Sequence, residues 1–270
     1  MTQAHVKSLL ELVDERPAVN NQEVFDHLWS LLGELRSKIG GRFALHPDES
    51  TAALQPYHSL DGTAKGMLSG WSGPEVDWMV HSWIGTPQSS FTNMHLTCWL
   101  GPQIKVPHFG MALGTMPDVF VYIDYVPRVD LMTDLAYLDT YYDPPNSRYV
   151  ALRSDPRYVP FVSKSLYMRQ AQSQTSMCFL VKPEAEILAT ISEVAHEMMD
   201  RWLGWIDQAP PVPQAERAAL AERDLLVRRS IADRDPANAM GVRLFGDELT
   251  NRLVRALWGG DRTSARPGSM

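Results

Sequence analysis

Histidines, cysteines and carboxylates are the side chains that could do chemistry here, and their spacing excludes the common arrangements first. His196-Glu197 has the look of half a zinc-protease motif, but Asp200 stands four residues after the histidine, so HExxH fails and the pair reads as an ordinary exposed stretch of helix. The 8 histidines form no tight cluster of ligand spacing, so a metal site is open only to distant residues that meet in space, and none is assigned. The two cysteines, Cys98 and Cys178, lie far apart without CxxC spacing, which excludes both a cysteine zinc site and a disulfide scaffold. The nucleotide and nucleophile fingerprints GxGxxG, GxxxxGK[ST] and GxSxG are all missing. An enzyme of this sequence therefore holds no Rossmann-bound nicotinamide, and its electrons or its chemistry come from elsewhere.

The whole chain has the composition of a soluble globular protein. It has 270 residues, 44% hydrophobic and 21% charged, long enough to bury a core without disulfides. Its net charge of −7 argues against nonspecific nucleic-acid binding, which needs basic patches to neutralise phosphates. No apolar run reaches the roughly 18 residues of a membrane-spanning helix. The N-terminal MTQAHVKSLLELVDERPAV carries acidic residues through its apolar stretch, which argues against a signal peptide, so a cytoplasmic location is expected.

The elements that must position any site follow from periodicity. Apolar residues three and four apart predict helices over 8–13 and 24–39, the second stopping at Gly40-Gly41. Residues 42–75 read as loops with short strands. VDWMVHSWIG (76–85), FTNMHLTCWLG (91–101) and VFVYIDYVP (119–127) are rich in β-formers and separated by turn residues, which predicts antiparallel hairpins. A helical segment opens at 133–138 and is closed by Asp143-Pro144-Pro145-Asn146. An amphipathic helix spans 183–207, a charged one about 214–232, and a short one 246–258. The polar tail 259–270 reads as disordered. The expected fold is a single α+β domain over 1–258, with a central antiparallel sheet covered by helices on both faces.

Three stretches taken together carry a family resemblance. They are HLTCWLGPQIKVPHFGMALGTMPDVFVYIDYVPRVDL (95–131), VSKSLYMRQAQSQTSM (162–177) and AERDLLVRRSIADRDPANAMGVRLFGDE (221–248). Their order and spacing resemble the ferredoxin-dependent bilin reductases, closest to red chlorophyll catabolite reductase. The resemblance covers roughly residues 76–258. It implies an α/β/α sandwich with a linear tetrapyrrole held between the sheet and the C-terminal helices. It also implies no bound flavin, nicotinamide or metal: electrons come singly from reduced ferredoxin and side chains supply the protons.

The resemblance assigns roles to particular residues. His95 matches the strand histidine of the bilin reductases, and an imidazole can give and recover protons near neutrality. Its bland alternative is a buried histidine bonded to a backbone carbonyl. The acid that the family places two residues after Phe-Gly is absent, because Met111 and then Ala112 follow Phe109-Gly110. His95 and Ala112 are 17 residues apart, the spacing expected across this hairpin. His108 shares a face with Ala112 if no bulge intervenes, and is the neighbour that could replace the lost acid. Asp235, in Asp235-Pro236-Ala237-Asn238, matches the second family acid, with a helix cap as its bland reading and Asp233 as the fallback. Arg169 is the candidate anchor for substrate propionates, Tyr167 its same-face neighbour, and Asn238 and Trp83 further candidate pocket residues. Trp83 and Trp99 are more often core than substrate platform.

Three functions compete. The first is ferredoxin-dependent reduction of a linear tetrapyrrole with protons from His95 and Asp235. Arg217, Arg223, Arg228, Arg229 and Arg234 offer it a basic docking face, although such a run is usually a solvated surface. The second is cofactor-independent acid/base chemistry on an aromatic or phenolic molecule, as a lyase, isomerase or hydrolase. The third is a pigment-binding protein without turnover, for which Ala112 would be the natural loss. Either a monomer or a homodimer is compatible with the exposed strand edges.

Overall fold

The computed structural model describes residues 5–7, 11, 19–89, 91–116 and 118–259. The expected first helix (8–13) and the polar tail fall outside the described residues, apart from Glu11 and Gly259. Strands β1 (His5–Lys7), β2 (His46–Pro47), β3 (Tyr57–His58), β4 (Lys65–Ser72), β5 (Val76–Gly85), β6 (Thr92–Leu100), β7 (His108–Met116), β8 (Asp118–Val126), β9 (Val159–Ser163) and β10 (Met177–Val181) form one sheet. Its order is β1-β9-β10-β8-β7-β6-β5-β4-β2, with β3 also paired to β4. Among the described residues only the β1–β9 pair is parallel. The central strands are buried on both faces, which is why β7 reads as HFGMALGTM rather than as a clean alternation.

One face is covered by α1 (Gln22–Arg42) and α5 (Ala185–Gln208), with α2 (Leu135–Tyr141) and α3 (Asp143–Ser154) beside them. In α1 the residues Phe25, Leu28, Leu32, Leu35 and Ile39 recur at helical spacing and are all buried. Gly40-Gly41 does not stop this helix. It runs on to Arg42, whose guanidinium is tied to Asp207 at 2.5 Å and to Glu75 at 3.3 Å. Two glycines in the last turn weaken a helix by about 1 kcal/mol each relative to alanine, and packing of Ile39 and Phe43 outweighs that. Asp143-Pro144-Pro145 opens α3 instead of closing α2, because proline is at home in the first turn of a helix, where no N–H is needed. His196 and Glu197 are, as expected, part of α5. His196 Nε2 meets Glu34 at 3.1 Å, and Glu197 pairs with Arg148 and Arg201.

The other face carries α4 (Leu166–Gln170), α6 (Gln214–Arg234) and α7 (Asn238–Trp258). The charged helix α6 docks through ions rather than through an apolar stripe. Asp224 accepts from Arg128 at 2.6 and 3.0 Å, and Arg228, 1% exposed, lies 4.0 Å from Asp77. Arg228 is therefore not part of an exposed basic face. Helix α7 begins eight residues earlier than its apolar pattern indicates and bends at Gly246, whose φ of 73° only glycine adopts without strain. Among the described residues no helix is long and apolar enough to cross a membrane.

Candidate active site

Between the sheet and helices α6 and α7 lies a cavity of about 240 Å3, walled mainly by apolar side chains. Side chains alternate across a strand, so each strand offers every second residue to this space. The pairing register aligns one such row across five strands: Ser82 opposite His95, His95 opposite Ala112, Ala112 opposite Tyr122, and Tyr122 opposite Cys178. The expected pairing of His95 with Ala112 is the observed one, with no bulge between β6 and β7. All four of Ser82, His95, Ala112 and Tyr122 line the cavity. From the helical side, Asp235, Asn238, Met240, Leu244 and Leu253 close it.

His95 is half-buried in this wall, and among the described residues no hydrogen bond holds its ring. The expected alternative, a histidine bonded to a backbone carbonyl, is not what the structure shows. Burial lowers its basicity to about 4, so at neutral pH it is an uncharged imidazole with one N–H and one lone pair to offer. Asp235 sits at the junction of α6 and α7. Burial raises its carboxyl above the usual range, and one oxygen accepts from the Ala237 N–H at 2.9 Å. The cap and the cavity position thus coexist in one residue, and the exposed Asp233 lies outside the lining. Asn238 lines the cavity and donates through Nδ2 to the Ala232 carbonyl at 2.7 Å, which fixes the helix junction.

Four other sequence candidates are placed differently. Arg169 is exposed, and its Nη1 donates to the Ser163 and Lys164 carbonyls at 2.7 and 3.0 Å, so it caps chain ends instead of reaching the cavity. Tyr167, 49% exposed, stacks under Arg234 and accepts from its Nη1 at 3.2 Å. The two do not share a face, because 166–170 is a helix capped by Ser165, and residues two apart on a helix diverge by about 200°. Trp83 borders the cavity through its place in β5, but its ring lies on the opposite face, edge-on to Phe25 at 4.9 Å. His108 shares the face of Ala112 but lies beneath Trp99, ring centroids 4.6 Å apart, outside the cavity lining. Its Nδ1 accepts the Leu100 N–H at 2.9 Å and its Nε2 faces Asp224 at 3.3 Å, which fixes a neutral ring inside a structural ion cluster. Burial lowers His108 to about 4. Burial alone would raise Asp224, but the facing His108 and Arg128 hold it down at about 2.

The structure adds two residues that reading the sequence missed. Tyr122 lines the cavity next to Ala112, and Asp124, two residues on and on the same face, lies behind it. The Tyr122 hydroxyl is 3.3 Å from Asp124 Oδ2. The signal was available: a Tyr-x-Asp inside VFVYIDYV puts two polar groups on one face of a strand that is otherwise apolar.

Residues 28–258 match the family model described as red chlorophyll catabolite reductase. The chain belongs to that family. Members of the red chlorophyll catabolite reductase family that resemble it include the chloroplastic enzyme of Arabidopsis thaliana, 26% identical over 84% of this chain and 78% of that one. The barley (Hordeum vulgare) enzyme is 25% identical over 66% of this chain and 94% of its own. The fold is that of the bilin reductases: tomato phytochromobilin synthase, solved in complex with biliverdin, superposes with a TM-score of 0.74 at 14% identity, over 86% of this chain and 83% of that one. The α/β/α arrangement expected from the sequence is therefore the observed one.

Proposed function

We infer that this member of the family reduces a linear tetrapyrrole, taking electrons one at a time from an external iron–sulfur donor of the ferredoxin class. The observation that carries the reading is the cavity itself, set between the sheet and the C-terminal helices. Its wall is apolar, and a carboxyl whose proton affinity burial raises and an uncharged imidazole project into it. An apolar wall suits a flat conjugated ligand, and few polar groups suffice to orient it. The family relatives are named for a chlorophyll catabolite and the fold relative holds biliverdin, both of which favour this ligand class.

In this reading each double bond reduced takes two electrons and two protons. The first electron makes a radical anion, which is a far stronger base than the ground-state ligand. Asp235, whose carboxyl keeps its proton more readily than an exposed aspartic acid, supplies one of the two protons. His95 is neutral before reduction and hydrogen-bonds the ligand's polar edge. The negative charge that arrives with the electron favours the imidazolium, so His95 becomes able to carry a proton as the reaction proceeds. The test is anaerobic turnover of biliverdin and of a red chlorophyll catabolite with reduced ferredoxin. Asp235→Asn and His95→Ala should each slow loss of the chromophore band by about 100-fold or more. Asp233→Asn, outside the lining, should leave it unchanged. Equal rates in all three variants would overturn the assignment.

A further inference from the structure

With Ala112 unable to bear a proton and His95 uncharged until the ligand is reduced, Asp235 is the one acid of the expected pair left in the cavity, while the reduction needs two protons. We propose that Tyr122, backed by Asp124, supplies the second: Tyr122 donates its hydroxyl proton to the reduced ligand and Asp124 returns a proton to the phenol oxygen. The proposal rests on the tetrapyrrole reading above and names a further catalytic residue, with a positioning residue behind it.

Geometry carries the argument. The phenol lies over β7 at Gly110, where a Cβ would make ordinary contact with Tyr122 Cε1 at 3.5 Å and its hydroxyl oxygen at 3.6 Å. Gly110 pairs with Thr97, the next residue on the cavity face of β6 after His95. The hydroxyl therefore sits one strand from the histidine row, beside the position where the acid is missing. Behind it, Asp124 is 1% exposed and held by the loop before β10. Ser173 donates to it through its backbone N–H at 2.8 Å and through its hydroxyl. Ser173 Oγ is in turn 3.4 Å from Thr175 Oγ1, which extends the chain of hydroxyls away from the cavity.

The protonation states fit a relay. Burial raises Asp124 to about 7 despite its donors, so near neutrality the carboxyl both holds and releases a proton. Burial also raises the Tyr122 phenol well above its ordinary value, which keeps it protonated until a strong base arrives. The titratable groups that couple to Asp124 are Tyr122 and Tyr125 on its own strand, Tyr142 at the start of α3 and the Cys178 thiol on β10, itself pushed up to about 12. Among the described residues no Arg or Lys forms an ion pair with it.

The atoms balance. One electron from the donor makes the radical anion, and the Tyr122 Oη–H bond breaks as the ligand gains that proton. The Asp124 carboxyl O–H then breaks to restore the phenol, and Asp124 is left as a carboxylate to be reprotonated through Ser173 and Thr175. The second electron and the proton of Asp235 complete the reduction.

Tyr122→Phe and Asp124→Asn test this with biliverdin and reduced ferredoxin. Both variants should bind the chromophore within a few-fold of the wild type, and Tyr122→Phe should reduce it about 100-fold more slowly. The wild-type rate should fall as pH rises through about 7, and Asp124→Asn should lose that limb. Infrared spectra without any donor give a readout independent of turnover. A protonated-carboxyl band present at pH 6 and lost at pH 8 should vanish in Asp124→Asn and shift in Tyr122→Phe. Wild-type reduction with Tyr122→Phe equally fast, or a carboxyl band indifferent to Tyr122→Phe, overturns the relay alone. A wild type that binds but never reduces overturns the parent reading and the relay with it.

Discussion

Returning a carboxylate to position 112 probes the site directly. Ala112 is directly opposite His95 across β6–β7 and both line the same cavity, so their Cβ atoms stand about 5 Å apart. In Ala112→Asp, a carboxylate at roughly 5 Å in a medium of effective dielectric about 20 attracts an imidazolium by about 3 kcal/mol. At about 1.4 kcal/mol per pKa unit this is a rise of about 2 units. His95 now titrates at about 4 because burial disfavours its charge. The variant should bring it to about 6. Burial will also push the new carboxyl upward, so the pair takes up one proton jointly, and the shift is read as that of the coupled site. The assay is an NMR pH titration of the imidazole signals, with His95→Gln identifying one resonance among the 8 histidines. A shift under about half a unit would refute the reasoning, because two opposed side chains in one low-dielectric pocket cannot ignore each other's charge.

The ion cluster under α6 makes a stability prediction: Asp224→Ala strands Arg128 in the interior and should cost about 3–5 kcal/mol in chemical denaturation. Leu28→Ala, in the fully buried row of α1, should cost about 2–5 kcal/mol by the same measurement. The pH dependence has a definite sign between pH 5 and 6. His81, His95 and His108 are lowered to about 3, 4 and 4 by burial, so each binds a proton there only when the chain unfolds. Asp124 and Asp235 are raised and release protons on unfolding, which opposes the histidines. The unfolded histidines take up between about two and three protons across this window against at most two released, so unfolding is a net proton sink and stability should rise with pH by about 1 kcal/mol per unit. Denaturant midpoints that fall from pH 5 to pH 6 would contradict it.

Much of this molecule is legible in its sequence where one physical signal dominates. The strands β5, β6 and β8 are dense in β-branched and aromatic residues and bounded by turn formers, and they appear within a residue or two of the expected limits. The His95–Ala112 register followed from hairpin spacing, which is short-range information. Failures occur where a local signal has two readings. Proline after an aspartate can end one helix or begin the next, and at Asp143 it begins α3. Ser-Leu-Tyr-Met-Arg looks like a strand by its alternation, yet Ser165 caps a helical turn, and so Tyr167 and Arg169 point away from each other and from the cavity. The buried Asp224 and Arg228 of α6 are invisible in a helix with no apolar stripe, since their partners lie on β5, β7 and just after β8. Tyr122 and Asp124 lie on β8, outside the β6–β7 hairpin whose spacing links His95 to Ala112, so no short-range signal ties them to the site.

The most direct test of the central claim counts electrons. Biliverdin or a red chlorophyll catabolite is bound to the protein under anaerobic conditions, and reduced ferredoxin is added in substoichiometric steps while the chromophore band is followed. The account predicts that the band changes only after donor is added and that conversion is complete at two electrons per chromophore for a single reduced double bond. A bound spectrum that stays constant through excess donor would contradict it and leave a pigment-binding protein. Conversion before any donor is added would contradict it as well, and would make His95 and Asp235 the acid/base pair of a non-redox enzyme.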